Sequence, residues 1–208
     1  MTPCLIVCRM GSRKDIFKRL SQKYRTPYQV QKFLRTFPYN REFKGETLRS
    51  AWGALKHRTA HCLEAAFLAA AILEHRGYEP LVLSLESKDN LDHVIFVFRT
   101  KSGWGAIGRS REEGLHGRSP VFRSLRQLAN SYFDPFIDKT GKLTGYGLAN
   151  LNEARGDWRH SRLNVWAVEK FLIDLPHKRL PRSHARYSKW YKIYLETGEA
   201  GRRQSHWW

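Results

Sequence analysis

Apolar and aromatic residues recur at Ile16, Leu20 and Tyr24, then at Val30, Phe33 and Leu34, with Pro27 between the two sets. That spacing predicts two amphipathic helices broken at the proline. Residues 45–58 repeat the helical period with Leu48, Ala51, Trp52 and Leu55 above a basic outer face. The run "TAHCLEAAFLAAAILEHRGY" is apolar on all sides and predicts a buried helix, with Thr59 as N-cap and Gly77 just past its end. Cys62 then falls in the first turn. Residues 80–87 and 93–100 are rich in β-branched and aromatic side chains, and "KSG" followed by "WGAIGRS" closes the second strand into a hairpin. Further on, 119–133 has Val121, Phe122, Leu125, Leu128, Ala129 and Tyr132 on one helical face. Residues 134–147 are turn-rich, 162–175 favour a helix, and the chain after Pro176 is basic, aromatic and peripheral. Three helices, a cysteine helix and an antiparallel hairpin make the fold class α+β. There is no internal repeat and no low-complexity tract.

The chain has 208 residues, enough for one well-buried core. A single domain is expected over 12–175, preceded by a tail or misplaced start at 1–11 and followed by a basic aromatic extension at 176–208. No apolar run approaches the ~18 residues of a membrane span. The apolar stretch in "MTPCLIVCRM" is short and has no basic segment before it, so a secretory signal is not expected. Cys4, Cys8 and Cys62 are an odd number at uneven spacing, which gives no disulfide framework and points to a reducing, cytoplasmic compartment.

Net charge is +18, unevenly distributed. Residues 1–58 carry 14 basic against 3 acidic residues, 59–154 carry 11 against 11, and 155–208 carry 12 against 5. A neutral centre between basic flanks suggests that core chemistry and contact with a polyanion are separate. Arg182, Arg186 and Lys189 are the candidate polyanion-binding residues of the C-terminal flank.

A cysteine in the first turn of a helix feels the positive end of the dipole, which favours the thiolate; a small apolar packing residue is the alternative reading. A nucleophile needs a base and a group that orients it. His93 opens a strong strand after a helix, a strand and a loop, a path that can return the chain to the helix N-terminus. In these features, over about residues 45–110, the chain resembles the transglutaminase-like superfamily of papain-like cysteine enzymes. The family pattern is a Cys opening a buried, Gly-ended helix, a strand, a His-initiated strand, then Gly-Trp and an Asp. The resemblance implies a buried cysteine helix packed on an antiparallel sheet, with Cys62 as nucleophile and His93 as base. It also implies peptidase, amidase or acyl-transferase chemistry without a cofactor. Gly103-Trp104 is the hairpin mark.

Where the family has its Asp, this chain has Gly108. If Arg99 pairs with Trp104, constant pair sums place His93 opposite Ser110, whose hydroxyl becomes the expected orienter. Asp92 points to the opposite face from His93 and Asp89 lies in the preceding loop; Asp134 and Asp138 could approach only if the turn-rich segment folds back, and turn formation is the better reading of them. His61, Trp104 and Gly108 are expected beside the substrate site. His57, His61 and Cys62 are zinc-type ligands, but no compact fourth ligand follows and the helix break spoils their geometry, so no metal is expected. Two functions remain. One is a cysteine-dependent acyl-transfer enzyme acting on a peptide or protein amide. The other is a catalytically weak or silent scaffold that binds nucleic acid or another polyanion through its basic flanks.

Overall fold

The computed structural model of the chain describes residues 13–181, 183–198 and 207–208. The expectations for 1–11, for Cys4 and Cys8, and for Arg182 lie outside the described residues. Helices α1 (Arg13–Lys23) and α2 (Pro27–Arg35) follow the two apolar sets. Pro27 opens α2, where a missing N–H costs nothing, and Thr26 with Gln29 forms a capping box. Helix α3 (Ala51–His57) starts later than the period predicted. The backbone just before it serves tertiary bonds instead: Thr47 N–H donates to Glu42, Leu48 N–H to Asn164, and Arg49 N–H to Glu64.

Helix α4 (Cys62–Leu73) is the centre of the fold, with every residue from Leu63 to Leu73 buried. Its N-cap is His61 rather than Thr59. A 3-10 turn, Glu74–Arg76, ends it at Gly77, whose φ of 83° lies in the left-handed region that glycine tolerates. The alanines at 65, 66 and 69–71 let neighbouring elements approach closely. Burial of Phe67, Leu68, Ile72 and Leu73 contributes about 1.5–3 kcal/mol for each side chain.

Six antiparallel strands form one sheet in the order β4-β3-β2-β1-β5-β6. Strands β1 (Leu81–Ser87), β2 (His93–Thr100) and β3 (Gly103–Ile107) follow the predicted pattern, and Arg99 pairs with Trp104. The segment expected as one helix over 119–133 divides. Residues Arg118–Phe122 form edge strand β4, where Pro120 is tolerated, and α5 (Leu125–Asn130) begins after the Ser124 cap. Helical periodicity is present in the sequence, but the open edge of β3 takes the first half.

The turn-rich segment likewise ends in a strand, β5 (Leu143–Asn150), paired along the whole of β1. A Cβ at Gly147 would lie 2.5 Å from Leu175, so glycine there lets the returning chain cross the strand. That return contains α6 (Trp166–Ile173) and the short β6 (Lys178–Arg179). The C-terminal region is not peripheral: on α7 (His184–Thr197), Tyr187, Trp190 and Tyr191 pack against the apolar cluster formed by α5, β1–β3 and β5. Trp208 stacks on Phe98 at 5.8 Å between ring centroids, and Trp207 covers the buried Arg118 guanidinium at 4.4 Å. The described residues therefore make a mixed α+β fold of seven α-helices and a six-stranded antiparallel sheet with apolar clusters on both faces. Among them no helix is long and apolar enough to cross a membrane.

Candidate active site

Cys62 is the first residue of α4 and is half-buried. The rings of His61, at the N-cap, and His93, at the start of β2, stand close enough to its sulfur to act on its ionisation. Burial alone would raise the thiol pKa; hydrogen bonding to the two rings and their positive charge outweigh it and hold the thiol well below its usual range. The His93 Nε2 lies 2.8 Å from the Leu115 carbonyl oxygen. A carbonyl only accepts, so Nε2 carries the proton and Nδ1 keeps the lone pair that faces the thiol.

His61 has a second task. When the ring is neutral its Nδ1 accepts the Leu63 N–H, and its Nε2 lies 3.1 Å from the Thr47 carbonyl oxygen; protonation gives up the cap at Nδ1. Burial opposes its protonation, but the Cys62 hydrogen bond and the negative charge of Cys62, Glu64 and Glu42 raise its pKa to about 9. The ring is therefore poised between capping the helix and forming an ion pair with the thiolate.

Beneath the pair lies Glu64, with no exposure at all. Its carboxylate accepts the backbone N–H of Arg49 at 2.9 Å and of His61 at 3.1 Å, the Thr47 hydroxyl at 3.2 Å and the Asn40 amide at 3.3 Å. This network ties the N-terminus of α4 to the loop ahead of α3. Sequence reasoning passed over Glu64; the signal available was its position three residues after the N-cap, the spacing of a capping box. Tyr39 was also missed. It lies beside the start of α4, and burial together with the adjacent thiolate raises its pKa.

The orienter of His93 is a backbone atom. Ser110 does not reach it: its hydroxyl accepts the Glu112 N–H at 3.2 Å. The inferred register holds at Arg99 and Trp104, but the ladder stops at Phe96 and Ile107. Beyond that point the buried Gln31 amide takes both polar groups of Gly108, accepting its N–H at 2.9 Å and donating to its carbonyl at 3.0 Å. The chain then leaves the sheet before residue 110.

Gly108 does stand beside the base. A Cβ there would lie 3.6 Å from His93 Nε2, 3.2 Å from the Leu115 oxygen and 2.8 Å from Ile95. The space a carboxylate would occupy is filled by the Leu115 carbonyl. Gly108→Asp should therefore overpack this corner rather than complete a triad, lowering stability by about 1–3 kcal/mol in denaturant unfolding, and Gly108→Ala should do nearly the same. The backbone of Gly108 is outside the left-handed region, so space, not conformation, demands glycine.

The four aspartates are occupied elsewhere. Asp89 and Asp92 accept bonds from Ser87, Asp134 holds Arg186 at 2.6 Å, and Asp138 caps the turn at Gly141. Arg186, expected on a polyanion surface, is tied instead to Asp134 and Asn130. Lys189 is exposed above the Trp190 ring. Trp104 is not at the thiol: it pairs with Arg99, six residues along β2 from His93, a distance of about 20 Å. Among the described residues no group of three His, Cys, Asp or Glu side chains is placed to hold a metal ion. Compared with known proteins, the chain matches no family model and no curated protein.

Proposed function

We propose that the protein is a cysteine-dependent acyl-transfer enzyme acting on an amide, with the papain-like, transglutaminase-like arrangement that its sequence resembles. The observation that carries this reading is a half-buried thiol at a helix N-terminus, beside two histidines that lower its pKa. The Cys62 thiol passes its proton to His93 Nδ1, and the thiolate attacks the substrate carbonyl carbon. In this reading the Cys62 N–H at the start of α4 and the neighbouring Tyr39 hydroxyl receive the oxyanion. His93 then returns its proton to the leaving amine as the C–N bond breaks, leaving a thioester on Cys62. Water or an amine attacks the thioester, gives up a proton to His93 and releases the acyl group, and the thiol is restored.

The Leu115 carbonyl fixes the tautomer of His93, but as a dipole it stabilises the imidazolium less than a carboxylate would. That difference favours a slow enzyme and supports, as a second reading, a silent scaffold. One experiment separates them. Limiting iodoacetamide, read by peptide mass spectrometry across pH, should modify Cys62 faster than Cys4 and Cys8 near neutrality. Incubation with p-nitrophenyl acetate should leave an acyl adduct on Cys62 that Cys62→Ala lacks. Cys62 reacting no faster than the other two thiols, with no adduct, would leave the enzyme reading without a nucleophile.

A further inference from the structure

In a chain this basic, the cations that the fold does not use are the informative ones. Arg118 is buried against the carbonyls of Gly114, His116 and Gly117, Arg159 pairs with Glu74, and Arg186 pairs with Asp134. Arg99, Arg123, Arg126 and Lys178 form no ion pair among the described residues. All four line one cleft of about 510 Å³, between the far end of the β2–β3 hairpin, the start of α5 and the segment leading into β6. No acidic side chain lines it. Three of these cations come from residues 59–154, where acids and bases are equal in number. Four of the eleven acids of that segment are committed elsewhere, Glu64 under the thiol, Glu74 and Asp134 to arginines, and Asp89 in its turn, and none of the eleven lines the cleft. Folding has separated charges that the sequence interleaves.

The floor of the cleft is apolar. Leu125, Leu148 and Leu175 line it beside Pro176 and the half-buried Trp104 ring, and Arg99 stands 5.8 Å from the centroid of that ring. The volume falls within the range of small-molecule sites, which combine an apolar lining with a few converging charges.

We propose that this cleft binds a nucleoside phosphate, with the phosphate on the rim of Arg99, Arg123, Arg126 and Lys178 and the base against Trp104 and the leucines. Guanidinium groups match phosphate oxygens in bidentate geometry, and a base stacks on an indole whatever its identity. An inorganic anion satisfies the rim alone and leaves the apolar floor in water. A free nucleotide and one unit of a single strand offer the same chemistry. The Arg99 end of the cleft lies about 20 Å along β2 from His93, while its Tyr146 and Lys178 end is level with His93, two and three strands across the sheet. Neither Cys62 nor His93 lines it, so the proposal stands independently of the acyl-transfer reading.

Calorimetric titration of the full chain with ADP, with a single-stranded oligothymidylate of about eight nucleotides, and with inorganic phosphate tests the proposal. At least one nucleotide probe should saturate and bind more tightly than inorganic phosphate. The double variant Arg123→Glu/Arg126→Glu should weaken that binding roughly ten-fold or more, because two phosphate contacts become repulsions. The equal charge change Lys18→Glu/Arg19→Glu, at exposed positions of α1, should change it less than about two-fold. Comparable binding of both probes identifies a free nucleotide as ligand, and binding of the oligonucleotide alone identifies a strand. The proposal is overturned if neither probe saturates, if both double variants weaken binding equally, or if inorganic phosphate binds as tightly as ADP. Unchanged Cys62 alkylation in the variants shows that they have folded.

Discussion

Glu64→Ala is expected to destabilise the protein by about 3–5 kcal/mol, lowering the melting temperature by roughly 10 °C or more. The carboxylate is fully buried and accepts four hydrogen bonds, two of them from backbone N–H groups that have no other partner at that place. Alanine leaves those donors unsatisfied in a region closed to water and removes half of the capping box that starts α4. Glu64→Gln keeps one acceptor oxygen but points an amide donor at other donors, so it should recover only part of the loss. Thr47→Ala, which removes a single hydroxyl from the network, should cost about 1 kcal/mol. Denaturant unfolding of the three variants gives the order. Because the N-terminus of α4 also carries the thiol, Glu64→Ala should raise the pH at which Cys62 becomes reactive even below the melting temperature. A loss no larger in Glu64→Ala than in Thr47→Ala would mean that the carboxylate does not hold the site together.

His93→Ala should raise the pKa of Cys62 toward that of an unperturbed thiol, about 8.5, and reduce any acyl transfer by about 10²–10⁴-fold. The variant removes one of the two imidazoles that lower the thiol pKa, the one whose Nε2 is held by the Leu115 carbonyl. His61 remains and should keep the thiol partly depressed, so alkylation ought to fall less steeply than turnover. The two histidines can be separated by pH. His61 has a folded pKa of about 9, above its unfolded value, so its contribution to stability is complete below about pH 6.5 and is lost as pH rises through 9. The thiol has the opposite sign. Its folded pKa is depressed, so its contribution is complete above about pH 8.5 and is lost as pH falls through the folded value. Cys62→Ser removes the thiolate that raises His61, and the imidazole titration followed by NMR should move to lower pH. An unmoved His61 titration would show that the ring does not respond to the sulfur.

Much of this architecture is local and was readable before folding. A twelve-residue apolar run makes α4 a buried helix wherever it is placed, because no other arrangement hides its whole circumference. The tight turn at Lys101-Ser102 sets Arg99 opposite Trp104 and so the register of β2 and β3. His93 and Cys62 were legible as neighbours, because a path through a helix, a strand and a loop can return the start of β2 to the start of α4.

What escaped the sequence involved partners distant along the chain. Residues 119–122 begin a stretch with helical periodicity but pair as part of a strand, since the edge of β3 offers backbone hydrogen bonds that periodicity does not record. The strand register predicted a Ser110 contact, yet the Gln31 side chain, 77 positions before Gly108, ends the ladder first. The group that orients His93 is the backbone carbonyl of Leu115, and a carbonyl leaves no mark on residue identity. Tyr39 reaches Cys62 only through the packing of its loop against the start of α4. Charge followed the same rule: the count of 59–154 was neutral, but a count has no direction, and folding put acids under the thiol and in turns while leaving three arginines on one cleft. Periodicity and propensity act over a few residues and are written in their order. Hydrogen-bond competition and the sorting of charge act across space, and exist only once the chain has closed on itself.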